Sequence, residues 1–242
     1  MSIQANQSVG ALVVERPHRS RVFEQLGIDY CCGGKLPLEE ACGKRGLAVD
    51  AVVQELNASD IAQQEGAGAT DPSKMSLTEL ADHIEHTHHD FLRTELGRIE
   101  QLVAKVAQAH GERDPRLVRM VSVYAPFQSE MMTHMNKEEQ ILFPVIRTLE
   151  SGSGSGLPHG VSVADPIREM EADHDDAGGA LEEMRTLTEG FVPPAGACNT
   201  WRAMLDALSH LERDTHSHVH KENNILFPKA IEMESKLAKG RA

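Results

Sequence analysis

From Ser76 onward, apolar residues recur three, four and seven positions apart with polar residues between them, the period of helices that each bury one face. Leu80, Ile84, Phe91, Ile99 and Val106 form the first stripe. Ser76-Leu77-Thr78-Glu79 fits a capping box, in which a serine hydroxyl and a glutamate carboxylate take backbone N–H groups left over at a helix start. Asp114-Pro115 offers an N-cap followed by proline at the first helical position, opening a second helix through Met120, Phe127, His134 and Glu138. Asp165-Pro166 repeats that signal and opens a third helix, which ends near Gly190 ahead of Pro193-Pro194. A fourth spans about Cys198 to Lys236, and Ser151 to Gly156 reads as a flexible loop.

The first part of the chain is patterned on a shorter scale. Val13-Val14, Val22-Phe23-Leu26 and Val49-Val52-Val53-Leu56 mark short helices, interrupted by Gly27 and by Cys32-Gly33-Gly34, which reads as a tight turn needing positive φ. Gln63 to Lys74 has no periodicity and reads as a linker. The expected organisation is a small helical domain over 1–62, a linker over 63–75 and a long-helix domain over 76–242. Four long helices on short connections cover their stripes most simply as an antiparallel four-helix bundle, so the fold class is all-α with β content near zero.

The long helices contain a duplication. His134-Met135-Asn136-Lys137-Glu138-Glu139-Gln140-Ile141-Leu142-Phe143-Pro144 returns 84 residues later as His218-Val219-His220-Lys221-Glu222-Asn223-Asn224-Ile225-Leu226-Phe227-Pro228. Residues i and i+4 share a helix face, so His134 with Glu138, and His218 with Glu222, can each aim a nitrogen and a carboxylate at one point. His89-Asp90 and His174-Asp175 lie 85 residues apart and precede His134 and His218 by 45 and 44 residues, the offsets expected of two duplicated helix hairpins. His88 is the rival of His89 in that position, and Glu130 and Asp214 continue the same faces one turn earlier, where they orient imidazoles, relay protons or face water. His216 and His220 are expected toward solvent or behind the ligands. Pro144 and Pro228 each remove a backbone hydrogen bond and should kink or end their helices at matching places.

Four imidazoles and two carboxylates suffice for two metals bridged by the glutamates. Imidazole with carboxylate suits iron, manganese or zinc, and the lack of thiolates in the bundle argues against a closed, soft-metal site. Bridging carboxylates between histidine-bound metals most resemble a non-haem di-iron centre. The His-x-x-x-Glu spacing departs from the Glu-x-x-His of ferritin-like proteins and favours the histidine-rich haemerythrin type.

Charge and cysteine usage narrow the class further. A formal net charge of −13, with Lys and Arg scattered, disfavours nucleic acid as a partner. The N-terminus carries no basic stretch followed by an apolar run, and no apolar run approaches a membrane span, so a cytoplasmic protein without membrane contact is expected. Cys31, Cys32, Cys42 and Cys198 are too few and too uneven for a disulfide framework; only the adjacent pair Cys31-Cys32 invites a chemical reading.

Asp29-Tyr30-Cys31-Cys32-Gly33-Gly34-Lys35, the H-x-x-x-E-E-x-I-L-F-P segment and its second copy resemble the Repair of Iron Centres family, of YtfE or ScdA type, across nearly the whole chain. The resemblance implies a haemerythrin-like bundle behind a small helical domain, and repair of iron-sulfur clusters damaged by nitric oxide or peroxide. It assigns two iron ions to His89, His134, Glu138, His174, His218 and Glu222, with Glu138 and Glu222 bridging and an oxo or hydroxo bridge admitted. It makes Cys31-Cys32 the functional pair of the first domain and sets Glu130 and Asp173 along a route to the metals. Cys42 receives no role.

The expected work is removal or reduction of nitric oxide, iron donation to damaged clusters, or both, and enzymatic turnover is left open. Cys31 and Cys32 would shuttle iron, nitrosyl or reducing equivalents as a nucleophilic, soft-metal-binding pair. The alternative is a module that binds dioxygen, nitric oxide or iron without turnover, which leaves the cysteine domain unexplained. Expected partners are nitric oxide or dioxygen, damaged iron-sulfur proteins and an electron donor that the sequence does not identify; pairing as a homodimer is left open.

Overall fold

The capping box at Ser76 forms in both directions. Ser76 N–H donates to Glu79 Oε2 at 2.9 Å and Glu79 N–H to Ser76 Oγ at 3.2 Å, satisfying two donors that the helix start would otherwise strand. The computed structural model describes residues 3–63, 71–152 and 162–240. Among them the fold is all-α, with no strand beyond an isolated bridge between Ser8 and Pro37, and no helix is long and apolar enough to cross a membrane. Contacts divide the chain into two compact units, Met1–Leu80 with His216–Ala242, and Ala81–Thr215.

In the first unit, α1 (Val9–Glu15), α2 (Ser20–Leu26), α3 (Leu38–Arg45) and α4 (Val49–Gln63) enclose a core of Val9, Leu12, Phe23, Tyr30, Leu38 and Leu56. Arg19 is wholly buried among them, with Nη2 donating to Asp60 Oδ2 at 2.7 Å and Nη1 to Leu12 O at 3.2 Å. The expected linker ends in a single 3₁₀ turn, Pro72–Lys74, opened by Asp71, whose Oδ1 accepts from Ser73 N–H at 3.0 Å. Most of that linker, and the loop expected from Ser151 beyond Gly152, lies outside the described residues.

The second unit holds the core of the long helices, the chain entering it within the helix Leu77–Ile84 and leaving it within the helix Asn199–Lys221. α5 (Leu77–Ile84) runs through a wide turn, Glu85–His89, into α6 (Asp90–His110); α7 (Pro115–Lys137) runs through Glu138–Leu142 into α8 (Phe143–Ser151). α9 (Ala164–Leu187) follows, and α10 (Asn199–Lys221) continues through Glu222–Leu226 into α11 (Phe227–Gly240). Leu92, Leu96, Ile99 and Val103 of α6, Met120, Tyr124, Phe127 and Met131 of α7, Leu181 and Met184 of α9, and Leu205, Leu208 and Leu211 of α10 form one buried cluster. Tyr124 keeps its hydroxyl satisfied there by donating to Leu96 O at 2.8 Å.

Three expectations are corrected. The helices do not end at Pro144 and Pro228; five-residue π-turns, Glu138–Leu142 and Glu222–Leu226, absorb the missing N–H and carry the chain on into α8 and α11. In each, the phenylalanine N–H reaches back five residues, Phe143 to Glu138 O and Phe227 to Glu222 O. The third helix starts at Ala164, where Ser162 Oγ accepts Ala164 N–H at 3.2 Å, so Asp165 sits inside the first turn and is not its cap. Gly33 and Gly34 belong to a 3₁₀ turn, Cys32–Lys35, and are absent from the glycines with positive φ. They are there for close approach: a Cβ on Gly34 would stand 2.5 Å from Asn224 Oδ1.

Candidate metal centre

Within Ala81–Thr215, α7 presents His134 at the end of its regular turns and Glu138 at the start of the π-turn, while the π-turn Glu85–His89 presents His89 and mid-α9 presents His174. His89 and Glu138 have no exposed surface, and His134 and His174 are 2% and 1% exposed. Glu138 Oε2 lies 3.3 Å from His89 Nε2 and 3.3 Å from His134 Nε2. His134 Nε2 and His174 Nε2 face each other at 3.0 Å.

The other ring nitrogens fix the protons. His89 Nδ1–H donates to Glu139 Oε1 at 2.7 Å, and His134 Nδ1–H to Asp173 Oδ2 at 3.3 Å. An ionised carboxylate only accepts, so in the neutral rings each Nε2 carries a lone pair, and these lone pairs point at a buried carboxylate and at another imidazole. Such an electron-rich cluster in a dry interior is stabilised by a cation. The donor set of nitrogen and oxygen atoms fits a borderline transition metal such as iron, and the described residues bring no sulfur into it. Phe143 of the π-turn's exit stacks on the His89 ring, with centroids 5.8 Å apart, and Arg93 holds Glu139 at 2.6 Å, so the imidazole is oriented from two sides.

His88, the rival for this position, is turned to Asp214, its Nδ1 donating to Oδ1 at 2.8 Å. Glu130 is exposed and shares with His134, Lys137, Asp173 and His174 the wall of a cavity of about 250 Å³. Lys137 Nζ bridges Glu169 Oε1 at 2.7 Å and Asp173 Oδ2 at 3.2 Å, tying the acceptor of the His134 proton to the cavity rim.

In the unit of Met1–Leu80 and His216–Ala242, the second copy of the motif places His218 Nε2 2.9 Å from Glu222 Oε1, both side chains wholly buried. His220, expected toward solvent or behind the ligands, is 6% exposed; its Nδ1–H donates to Tyr30 O at 3.3 Å, and burial pushes its pKa down to about 4. Cys31 is buried and Cys32 half-buried, and neither is in a disulfide. Their sulfurs lie 3.9 Å apart, and Asp29 Oδ1 stands 3.2 Å from Cys31 Sγ. The Cys32 hydrogen bond, burial and the Asp29 charge push the Cys31 thiol well above its usual pKa, a shift that favours the protonated form.

The supports Glu139, Asp173, Arg93 and Lys137 were not singled out by spacing. Asp173 is named only through the family resemblance, and the signal for the other three is position, since each sits beside a ligand candidate or one turn from it.

Comparison with known proteins follows the same division of the chain. A family model described as a hemerythrin HHE cation binding domain matches residues 80–230, and one described as a domain of unknown function, ScdA_N, matches residues 5–60. The chain is 38% identical over 229 residues to the iron-sulfur cluster repair protein YtfE of Yersinia pseudotuberculosis serotype IB (strain PB1/+), covering 95% of this chain and 98% of the relative. The protein of that name from Yersinia pestis (strain Pestoides F) matches at 38%, and that of Yersinia pseudotuberculosis serotype O:3 (strain YPIII) at 37%, each with the same coverage.

Proposed function

Because the chain belongs to the YtfE family of iron-sulfur cluster repair proteins, we propose that it repairs clusters damaged by nitrosative or oxidative stress in the cytoplasm. It would do so with a non-haem di-iron centre for which His89, His134, Glu138, His174, His218 and Glu222 would supply the ligands. The observation that carries this reading is the approach of Glu138 Oε2 to Nε2 of both His89 and His134 at 3.3 Å, with His174 Nε2 at 3.0 Å from the second ring. The cation-binding family model spans residues 80–230 and so covers all six residues. The division of the chain into 1–62, 63–75 and 76–242 is part of the same proposal.

Bound there, two ferrous ions would supply electrons and open coordination positions for nitric oxide or dioxygen. The protein's own part is to hold and to exclude. Glu139 and Asp173 keep the ring protons on Nδ1, so that Nε2 of His89 and His134 stays a donor. The cavity beside His134 and His174 would give a small diatomic a way in, and Glu130 and Asp173, which line it, would pass protons. Reduction of two nitric oxide molecules to nitrous oxide and water consumes two protons and two electrons, the latter from a donor outside this chain. Damaged iron-sulfur proteins are the proposed recipients, and Cys31 and Cys32 serve the transfer of iron.

Stopped-flow mixing of the anaerobically reduced protein with nitric oxide tests the activity. Nitrous oxide is the expected product. Retention of nitric oxide without nitrous oxide would turn the reading to a binding module without turnover.

A further inference from the structure

We infer that Asp29, Cys31 and Cys32 form a separate metal site of their own, open to solvent on the Asp29 side, that takes one thiophilic divalent cation. The choice of iron(II) as its cargo rests on the cluster-repair reading; the site itself does not.

The three residues can each offer one ligand atom within 4.8 Å of the others. The sulfur separation of 3.9 Å is close to the roughly 3.8 Å edge between two thiolates on a tetrahedral ion with metal–sulfur bonds of about 2.3 Å. Asp29 Oδ1, 3.2 Å from Cys31 Sγ, supplies the third donor. Asp29 is exposed and Cys32 half-buried, so a hydrated cation can reach the group from water while Cys31 backs it from within.

The loop is built for this shape. Asp29 Oδ1 accepts Cys31 N–H at 2.9 Å and Oδ2 accepts Gly33 N–H at 2.8 Å, which pins the carboxylate over the two thiols. A Cβ on Gly33 would meet Asp29 Oδ2 at 3.1 Å, so the glycine makes that approach comfortable. From beneath, Asn224 Nδ2 donates to Cys31 O at 3.2 Å and to Tyr30 O at 3.4 Å. Asn224 fits only because Gly10 and Gly34 lack side chains, a Cβ on either lying 2.2 Å and 2.5 Å from its Oδ1. Its counterpart in the first copy of the duplicated motif, Gln140, is exposed. The second copy has thus diverged at the position that braces the cysteine loop, and a braced loop holds its donors in place before the ion arrives.

The chemistry runs one way. Two thiolates and a carboxylate at these separations repel one another without a counter-charge. A divalent cation removes the repulsion: two S–H bonds break, their protons pass to solvent, two metal–sulfur bonds form, and no oxidation state changes.

Cobalt(II) added to the reduced, anaerobic, full-length protein carrying its bundle metals is the test. A near-ultraviolet sulfur-to-cobalt charge-transfer band should grow to saturation at one equivalent per chain. It should be lost in C31S and in C32S, and in D29N it should need roughly tenfold more cobalt, with bundle iron and helicity unchanged in all three. No band in the native protein, or a band that survives in the C31S/C32S double variant, overturns the site. Because the bundle donors are nitrogen and oxygen, finding no bundle iron while the band persists would defeat the di-iron reading and leave this site standing.

Discussion

Glu138 is a carboxylate with no exposed surface, set against the Nε2 atoms of His89 and His134. Leu is close to it in volume and carries no charge, so Glu138→Leu should cost the apoprotein little or even stabilise it while removing a candidate metal ligand. Iron analysis should show the pair lost, with the far-ultraviolet circular dichroism of the native bundle; two irons retained would remove Glu138 from the ligand set. Asp60 illustrates a charge that serves stability alone. Burial opposes its ionisation, but hydrogen bonds from Arg19 and His18 outweigh this and hold its carboxyl below the usual value. The stabilisation is therefore complete above the unfolded value near 3.8 and lost as pH falls through the lowered folded one. Asp60→Asn should lower stability at neutral pH by about 3 kcal/mol, by leaving Arg19 buried without its counter-charge. It should also flatten the fall of stability below pH 4, which denaturant titrations across pH would read. Residue spacing could nominate His134, Glu138 and His174 because duplication marks them twice. It could not reach Asp173, whose value lies in a proton held for His134 across two helices.

At the scale of elements, three π-turns coincide with ligand candidates: Glu85–His89, Glu138–Leu142 and Glu222–Leu226. Each adds a residue to a turn, closed by an N–H reaching five residues back, and thereby re-aims the side chains at its start without ending the helix. Pro144 and Pro228 stand at the second position of the helix that resumes, where their missing N–H matters least. Pro144→Ala should let a regular turn compete, rotating Glu138 away from His89. The expected outcome is an unchanged or higher melting temperature with iron bound roughly tenfold more weakly, measured by chelator competition. Helix starts were legible because capping boxes and Asp-Pro pairs leave local marks. The π-turns were not, because one extra residue in a long helix barely disturbs a 3.6-residue period, and a proline reads as a break when the widened turn is unseen.

For the whole molecule, the duplication that announces the metal site is kept where donors are needed and abandoned around them. His89-Asp90 and His174-Asp175 repeat, yet the preceding His88 bonds Asp214 whereas Asp173 bonds His134. Glu139-Gln140 becomes Asn223-Asn224, and the second pair includes the residue that braces the cysteine loop. Order along the chain suggests a first domain ending near residue 62, and contacts group Met1–Leu80 with His216–Ala242 in one compact unit. Contacts between sequence-distant segments leave no periodic mark, so that grouping was beyond the reach of patterning. The central claim is that paired hairpins pool histidines and glutamates around two irons. Mössbauer spectroscopy with iron quantitation on anaerobically purified protein tests it most directly: two irons per chain in one magnetically coupled centre is the expected result, and zinc without iron, or a single uncoupled iron, would contradict it.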